Sequence, residues 1–415
     1  MENERNPLHI FFLPLVLQGH MIPMMDMAKT FATRGAKVTI VTTPICATLC
    51  SKQIKRVHQL GLEFNIQTIK LPLIDIGLPE GWENMDAVTW SQNQADFLRK
   101  FWKALTLLQE PVLHILEEHR PDSLVVDLFF PWATDVAAQL KIPRLAFGGT
   151  TPHLRGEIKL TRTQLPEYLR QEEETDFSKL AKEIVKSELK SYGNNFYSFC
   201  ELEKDYADYY RNVLGKKAWH NDLKKPNSVI HVCFGSLTKF NSQQLVDMAK
   251  GLEASQQDFI WIVRKDKNEE QYWLPEGFEE RMDGKGLIIR GWAPLVLILD
   301  HESVGGFVTR CGWNSIMERV CARGRCLLSN SIMKMLQIGI GVGSKQYADF
   351  GIGADVVRSD DIEVVVRRIM AEEMRRAKRL GRMARTAVGE GGSSDSDLTS
   401  LIEELRRHKV YRESR

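Results

Sequence analysis

Residues 292–318 read Trp292-Ala-Pro-Leu-Val-Leu-Ile-Leu-Asp-His-Glu-Ser-Val-Gly-Gly-Phe-Val-Thr-Arg-Cys-Gly-Trp-Asn-Ser-Ile-Met-Glu318. The apolar run Gly306-Phe-Val leads through Cys311-Gly-Trp-Asn-Ser into a segment with helical spacing. That is a strand turning into a helix, the unit from which parallel sheets are built. Gly312 lets the backbone turn closely, and Asn314 and Ser315 place donors at the helix N-terminus. Free N–H groups and the helix dipole there suit an anion such as a diphosphate. Glu318 stands one turn further along the same face, within reach of a ribose diol, and Trp292 offers a flat surface to a base. A capped core helix with a buried tryptophan accounts for Asn314 and Ser315, but not for the rest.

The same alternation extends in both directions. Strands are expected at His9–Leu13, Lys37–Thr43, Phe64–Leu71, Leu124–Asp127 and Arg144–Phe147, with a helix over Ile22–Arg34 and a long amphipathic stretch over Ala87–His119. The second half repeats the pattern with strands at Val229–Phe234, Phe259–Val263, Leu287–Arg290 and Gly306–Val308, and helices near 241–254, 294–299 and 313–322. Strands recurring after helical crossovers predict an α/β protein of two doubly wound parallel sheets. Ligands of such sheets sit beyond the carboxyl ends of the strands, here in a cleft between the halves. The polar stretch Gly215–Ser228 reads as a linker. The charged, net basic segment after Asp361 reads as solvated helix surface.

Composition removes other classes. The chain has 415 residues with 56 Lys+Arg against 54 Asp+Glu, a formal charge of +2, and 43% hydrophobic residues. Disorder and disulfide-stapled miniproteins are excluded. Near-zero charge disfavours nucleic acid or an anionic membrane as the main partner. Seven cysteines without a C-x-x-C pair give no zinc ribbon or disulfide framework, so no metal site is expected. The N-terminal Met-Glu-Asn-Glu-Arg-Asn is not a cationic leader, and the apolar run Leu8–Leu17 is too short to span a bilayer. A cytoplasmic monomer without integral membrane association is the expectation.

Two strand ends carry candidate catalytic groups. Gly19-His20-Met-Ile-Pro23 follows the first strand and puts His20 where a general base would stand. Asp127 ends the strand Leu124–Asp127 and would orient His20 and stabilise its imidazolium if the two strands are close. Taken alone, each residue is better explained as a turn or cap residue. Gly235-Ser236 adds another strand-end loop able to approach phosphate. Gly339-Ile-Gly-Val-Gly-Ser superficially suggests a dinucleotide fingerprint, but it lacks the third glycine in register and an apolar-faced helix after it.

These residues resemble a known family. The Trp292–Glu318 stretch is similar to the signature box of the plant secondary-product UDP-glycosyltransferases, glycosyltransferase family 1. Gly19-His-Met-Ile-Pro, Leu78-Pro-Glu-Gly, Phe130-Pro-Trp-Ala-Thr-Asp, Glu201-Leu-Glu-Lys-Asp-Tyr-Ala, Cys233-Phe-Gly-Ser and Glu390-Gly-Gly-Ser-Ser look like that family too. They lie nearest its branch acting on flavonoids, triterpenoids, coumarins and abscisate. The resemblance implies a GT-B fold and an inverting, metal-independent transfer of a hexose, expected to be glucose, from a UDP-sugar co-substrate to a small hydrophobic acceptor. No cofactor is implied. It implies an acceptor-binding unit at 1–218, a donor-binding unit at 219–395 and a C-terminal helix at 396–415 packing back on the first unit. His20 and Asp127 would be catalytic, with Gly19 and Phe129 at the acceptor. Trp292 would stack on uracil and Glu318 would hold the ribose. Ser236, Asn314 and Ser315 would hold phosphate, with Arg310, Ala293, Gly312 and Trp313 in the same donor site.

The chain also departs from the family pattern. Leu295 replaces a glutamine, Arg310 replaces a histidine, and Lys334-Met335 stand where an acid–Gln pair would grip the sugar. Stretches near 149–156 and 219–226 look excised relative to the family, and Gly324–Met335 replaces the family's continuation of the motif. An alternative reading therefore keeps the family and drops the activity, leaving a relative that binds nucleotide or has lost function.

Overall fold

The computed structural model describes residues 7–83, 94–148, 176–196, 218–220, 229–235, 240–263, 274–283, 285–291, 293, 295–300, 304–309, 313–321, 325–327, 339–340, 357–371 and 375–414. Their strands form two all-parallel sheets. The first comprises β1 (His9–Leu13), β2 (Lys37–Thr42), β3 (Phe64–Thr68), β4 (Ser123–Asp127), β5 (Arg144–Gly148), β6 (Gly193–Phe196) and β7 (Ala218–His220), in spatial order β3-β2-β1-β4-β5-β6-β7. The second comprises β8 (Val229–Val232), β9 (Phe259–Val263), β10 (Gly286–Arg290), β11 (Val304–Val308), β12 (Arg325–Leu327) and β13 (Gly339–Ile340), in order β10-β9-β8-β11-β12-β13. Each sheet reverses its winding once, between β1 and β4 and between β8 and β11. Crevices open at such reversals because successive crossovers leave to opposite sides.

β1 shows why the first sheet is covered on both faces. Phe12 packs edge-on to Phe31 of α1 (Gln18–Thr33), whereas its neighbour Phe11 packs against His119 of α5 (Gln109–His119). Adjacent strand residues point to opposite faces, so the two rings mark two helical layers. The expected long stretch to His119 is two helices, α4 (Gln94–Thr106) and α5, broken at Leu107-Leu108. Between β2 and β3, α2 (Pro44–Leu49) and α3 (Ser51–Gln59) follow in turn. Thr43 caps α2 by accepting from the Cys46 N–H, with Pro44 in the first turn where no N–H is needed. α6 (Ala133–Gln139) and α7 (Asp176–Lys190) flank β5 in sequence.

In the second half, Asn241 caps α8 (Ser242–Ser255) through the Gln244 N–H at 2.8 Å. Short helices α9 (Phe278–Arg281) and α10 (Leu295–Asp300) precede β10 and β11, and α11 (Trp313–Cys321) follows β11. The C-terminal region is three helices, α12 (Ser359–Ala371), α13 (Arg375–Val388) and α14 (Ser393–Glu413). The Glu390-Gly-Gly-Ser-Ser motif is the corner between the last two. Gly391 has φ +74°, and a Cβ on Gly392 would fall 2.1 Å from the Thr386 carbonyl oxygen, so only glycines make this turn.

Three expectations need correction. A boundary between 218 and 219 cuts through β7, because Asn195 and Phe196 pair with Trp219 and His220 and extend the first sheet beyond it. The polar composition of Gly215–Ser228 hides this short strand. The C-terminal helix begins at Ser393, ahead of 396. Its basic residues are also not all solvated. Lys409 and Arg412 reach the buried Asp122 carboxylate at 2.9 and 2.6 Å, while Leu398, Leu401, Ile402 and Leu405 join the core under the first sheet. Breaking a buried pair of this kind costs about 3 kcal/mol, so α14 is pinned to the first half.

Candidate functional site

The first reversal point builds the catalytic candidates. Leu13 of β1 lies beside Val126 of β4, so Asp127 and the turn that carries the chain from β1 to His20 emerge at the same edge. His20 sits in the first turn of α1, which begins four residues before the expected Ile22. Its Nδ1 lies 2.8 Å from Asp127 Oδ2. Asp127 is buried and its other oxygen accepts from the Phe129 N–H at 3.2 Å. A carboxylate accepts only, so Nδ1 carries the proton and Nε2 keeps its lone pair. Burial acts against protonation of His20, but the charge and hydrogen bond of Asp127 outweigh it and raise the pKa above the ordinary 6.5. The result is a strengthened base whose imidazolium is stabilised as it forms.

An aromatic wall leads away from this pair. Phe129 meets the His20 ring edge-on at 5.7 Å, and Trp102 stacks on Phe129 at 4.9 Å and 16°. The wall continues through Phe101 and Phe97 to Trp82. Phe97 and Phe101 belong to the core, while Phe129, Trp102 and Trp82 are partly buried. The Phe130-Pro-Trp motif fastens the wall: Trp132 Nε1 donates to the Leu105 carbonyl at 3.1 Å and clamps α4 to the Asp127 loop. No local motif marks Trp102 in the sequence; its stacking on Phe129 needed the tertiary contact.

The second reversal point builds an anion-binding corner. β8 is followed by Cys233-Phe-Gly235, where Gly235 has φ +75°, and the neighbouring β11 leads to α11. Asn314 and Ser315 lie in the first turn of α11, half-buried, with Glu318 one turn on. Cys233 shows how close these pieces come. Its thiol is pushed up by burial, with a Gly235 backbone hydrogen bond opposing and the Glu318 charge adding. Ala293 is buried ahead of α10, which Leu295 opens. Ser236, Trp292, Arg310, Gly312 and Lys334-Met335 lie outside the described residues, as does the side chain of Trp313.

The two corners meet. Asn314 Nδ2 donates to the Gly19 carbonyl, next to His20. A base and a helix N-terminus thus face one cleft, which suits proton removal from one reactant and charge stabilisation on another. Among the described residues, no cluster of His, Cys, Asp and Glu could hold a metal ion, and no helix is long and apolar enough to cross a membrane.

Known proteins resemble this chain in sequence and fold. A family model described as UDP-glucoronosyl and UDP-glucosyl transferase matches residues 214–324. The chain is 42% identical to the scopoletin glucosyltransferase of Nicotiana tabacum, covering 96% of this chain and 98% of that one. It is 43% identical to UDP-glucose flavonoid 3-O-glucosyltransferase 7 of Fragaria ananassa, covering 96% of each. The structure of Glycyrrhiza uralensis UGT73P12 with glycyrrhetinic acid 3-O-monoglucuronide superposes with a TM-score of 0.88 at 31% identity, over 99% of this chain and 98% of that one. The tobacco alignment runs over 472 positions against 415 residues here, so at least 57 positions of it have no counterpart in this chain. With 96% and 98% of the two chains inside the alignment, that shortfall lies within it. With two-fifths identity along nearly the whole of both chains and the same pair of wound sheets, this chain belongs to the plant secondary-product UDP-glycosyltransferases of glycosyltransferase family 1, enzymes of the GT-B fold.

Proposed function

We propose that the chain transfers glucose from UDP-glucose to a hydroxyl of a small, flat, apolar metabolite, with inversion at the anomeric carbon. The observation that carries this is the His20–Asp127 pair set against Asn314 at the N-terminus of α11. His20 Nε2 takes the acceptor hydroxyl proton. The oxygen attacks the anomeric carbon from the side opposite the diphosphate, the bond from that carbon to the phosphate oxygen breaks, and UDP leaves with the electron pair. Asp127 balances the imidazolium. The α11 N–H groups, Asn314 and Ser315 take up the charge growing on the diphosphate, where preorganised donors do most. Glu318 accepts from the ribose hydroxyls. Trp292 stacks on uracil, and Ser236 and Arg310 complete the phosphate contacts.

The acceptor lies along Phe129 and Trp102 in the first half, and the donor lies in the second. The aromatic wall supports a planar acceptor, since rings stack on rings at little entropic cost. The chemistry in the names of the tobacco and strawberry relatives, a coumarin and a flavonoid 3-hydroxyl, sets the panel to assay. UDP release from UDP-glucose with scopoletin and with flavonols tests the proposal. No release with any of them sinks it.

A second reading has its own observation. Leu295 heads α10 at the donor corner, where the family carries glutamine, and at least 57 aligned positions are missing. A chain that binds UDP in calorimetry but transfers nothing fits that reading, a nucleotide-binding relative without catalysis.

A further inference from the structure

Pro23 lies inside α1, in its second turn. In an uninterrupted helix the N–H of residue 23 would donate to the carbonyl of residue 19. Proline has no N–H, so the Gly19 carbonyl is left without that partner. This carbonyl is the one that accepts from Asn314 Nδ2, at the head of α11 in the other half of the molecule. A Cβ on Gly19 would stand 3.6 Å from Asn314 Nδ2, an ordinary contact. The carbonyl, and not the missing side chain, therefore makes the meeting possible. The next residue is His20.

We propose that Pro23 is a positioning residue: it withholds the helical partner of the Gly19 carbonyl, reserves that oxygen for Asn314, and so ties the donor-side helix to the turn that carries His20. The tie sets the distance between the base and the anion corner before either substrate arrives. Its kinetic consequence rests on the reading of His20 as the base and of α11 as the diphosphate site. Its structural consequence does not.

The variant Pro23→Ala supplies an N–H that competes for Gly19 O from within the helix. It leaves the side chains of Asn314 and His20 unaltered in chemistry, and replacing an interior proline with alanine favours the helix itself. In the ligand-free protein, hydrogen exchange of peptides covering 313–321 should quicken roughly three- to tenfold, the span one neutral hydrogen bond supports. The melting temperature should stay level or rise. The kcat with UDP-glucose should fall by a similar factor, with KM for the acceptor little changed. In an Asn314→Ala background, Pro23→Ala should add nothing to either readout, because the partner is already gone.

Exchange at 313–321 unchanged by Pro23→Ala overturns the proposal. So does an equal effect with and without Asn314. Lower kcat together with a lower melting temperature and unchanged exchange points to simple helix damage and overturns it as well. If the parent chain releases no UDP, the transferase reading falls, while the exchange measurements still decide whether the tie exists.

Discussion

The two reversal points do the same topological job with different materials. In the first sheet the crevice holds two side chains in one geometry, a 2.8 Å hydrogen bond between a half-exposed His20 and a buried Asp127. In the second sheet it holds a helix N-terminus, a left-handed Gly235 and several short polar groups. In the proposed reaction, the work at the first falls on one pair, because proton transfer needs one base with one orientation. The work at the second is spread over backbone N–H groups that any sequence supplies. The substituted motif positions, Leu295, Arg310 and Lys334-Met335, all fall in the second half. A distributed anion site absorbs such changes, and a two-residue relay does not.

His20→Ala is the sharpest break of this contrast. Turnover of UDP-glucose should drop roughly 10²- to 10⁴-fold, the range of a positioned general base, while UDP affinity in calorimetry stays near the parent value. Equal losses in both would mean that His20 belongs to the donor site instead.

Asp127→Asn should cost roughly 10- to 100-fold in kcat, the worth of a hydrogen bond to a charged group. It should also move the pH profile. The neutral imidazole is the active form, so activity is lost as pH falls through the His20 pKa, which Asp127 holds above 6.5. Without the carboxylate charge, burial acts unopposed and the rising limb should shift to lower pH. The stability of the pair runs the other way. A raised folded-state pKa means that its contribution is complete below 6.5 and fades as pH climbs through the raised value. A pH–rate profile and a pH series of melting temperatures check the two signs separately.

On the other side of the comparison, Glu318→Gln should raise the KM for UDP-glucose roughly tenfold through one weakened hydrogen bond to a charged group. The acceptor KM should hold, and a change in it would place Glu318 outside the ribose site. Smallest is Leu295→Gln, which restores the residue of the family. A donor KM lowered roughly two- to fivefold is the most that one neutral hydrogen bond supports. No change would show that the backbone already carries the load there.

Much of this was legible in the chain. β9 and the ends of α8, α10 and α11 fall within a residue of their expected limits, because β-branched runs between helical spacings leave little choice of element. The helix starting at Gln18 was missed by four residues, since Pro23 inside it reads as a start signal. β7 was missed because three residues in a polar stretch carry no periodicity. The burial of Lys409 and Arg412 was missed because a basic helix surface looks the same whether or not a carboxylate lies beneath it.

The sequence by itself determined the two wound sheets, the family and the identities of His20, Asp127, Asn314 and Glu318, since hydrophobic spacing and strand-end motifs are local properties. Only the tertiary structure decided that His20 and Asp127, 107 positions apart, share a hydrogen bond, because that depends on β1 and β4 becoming neighbours at the reversal. It alone decided that Trp102 braces Phe129 and that the carbonyl left free by Pro23 meets Asn314 from the other half. Spacing along a chain fixes which elements form; which of their ends meet is fixed only when both sheets have buried their faces.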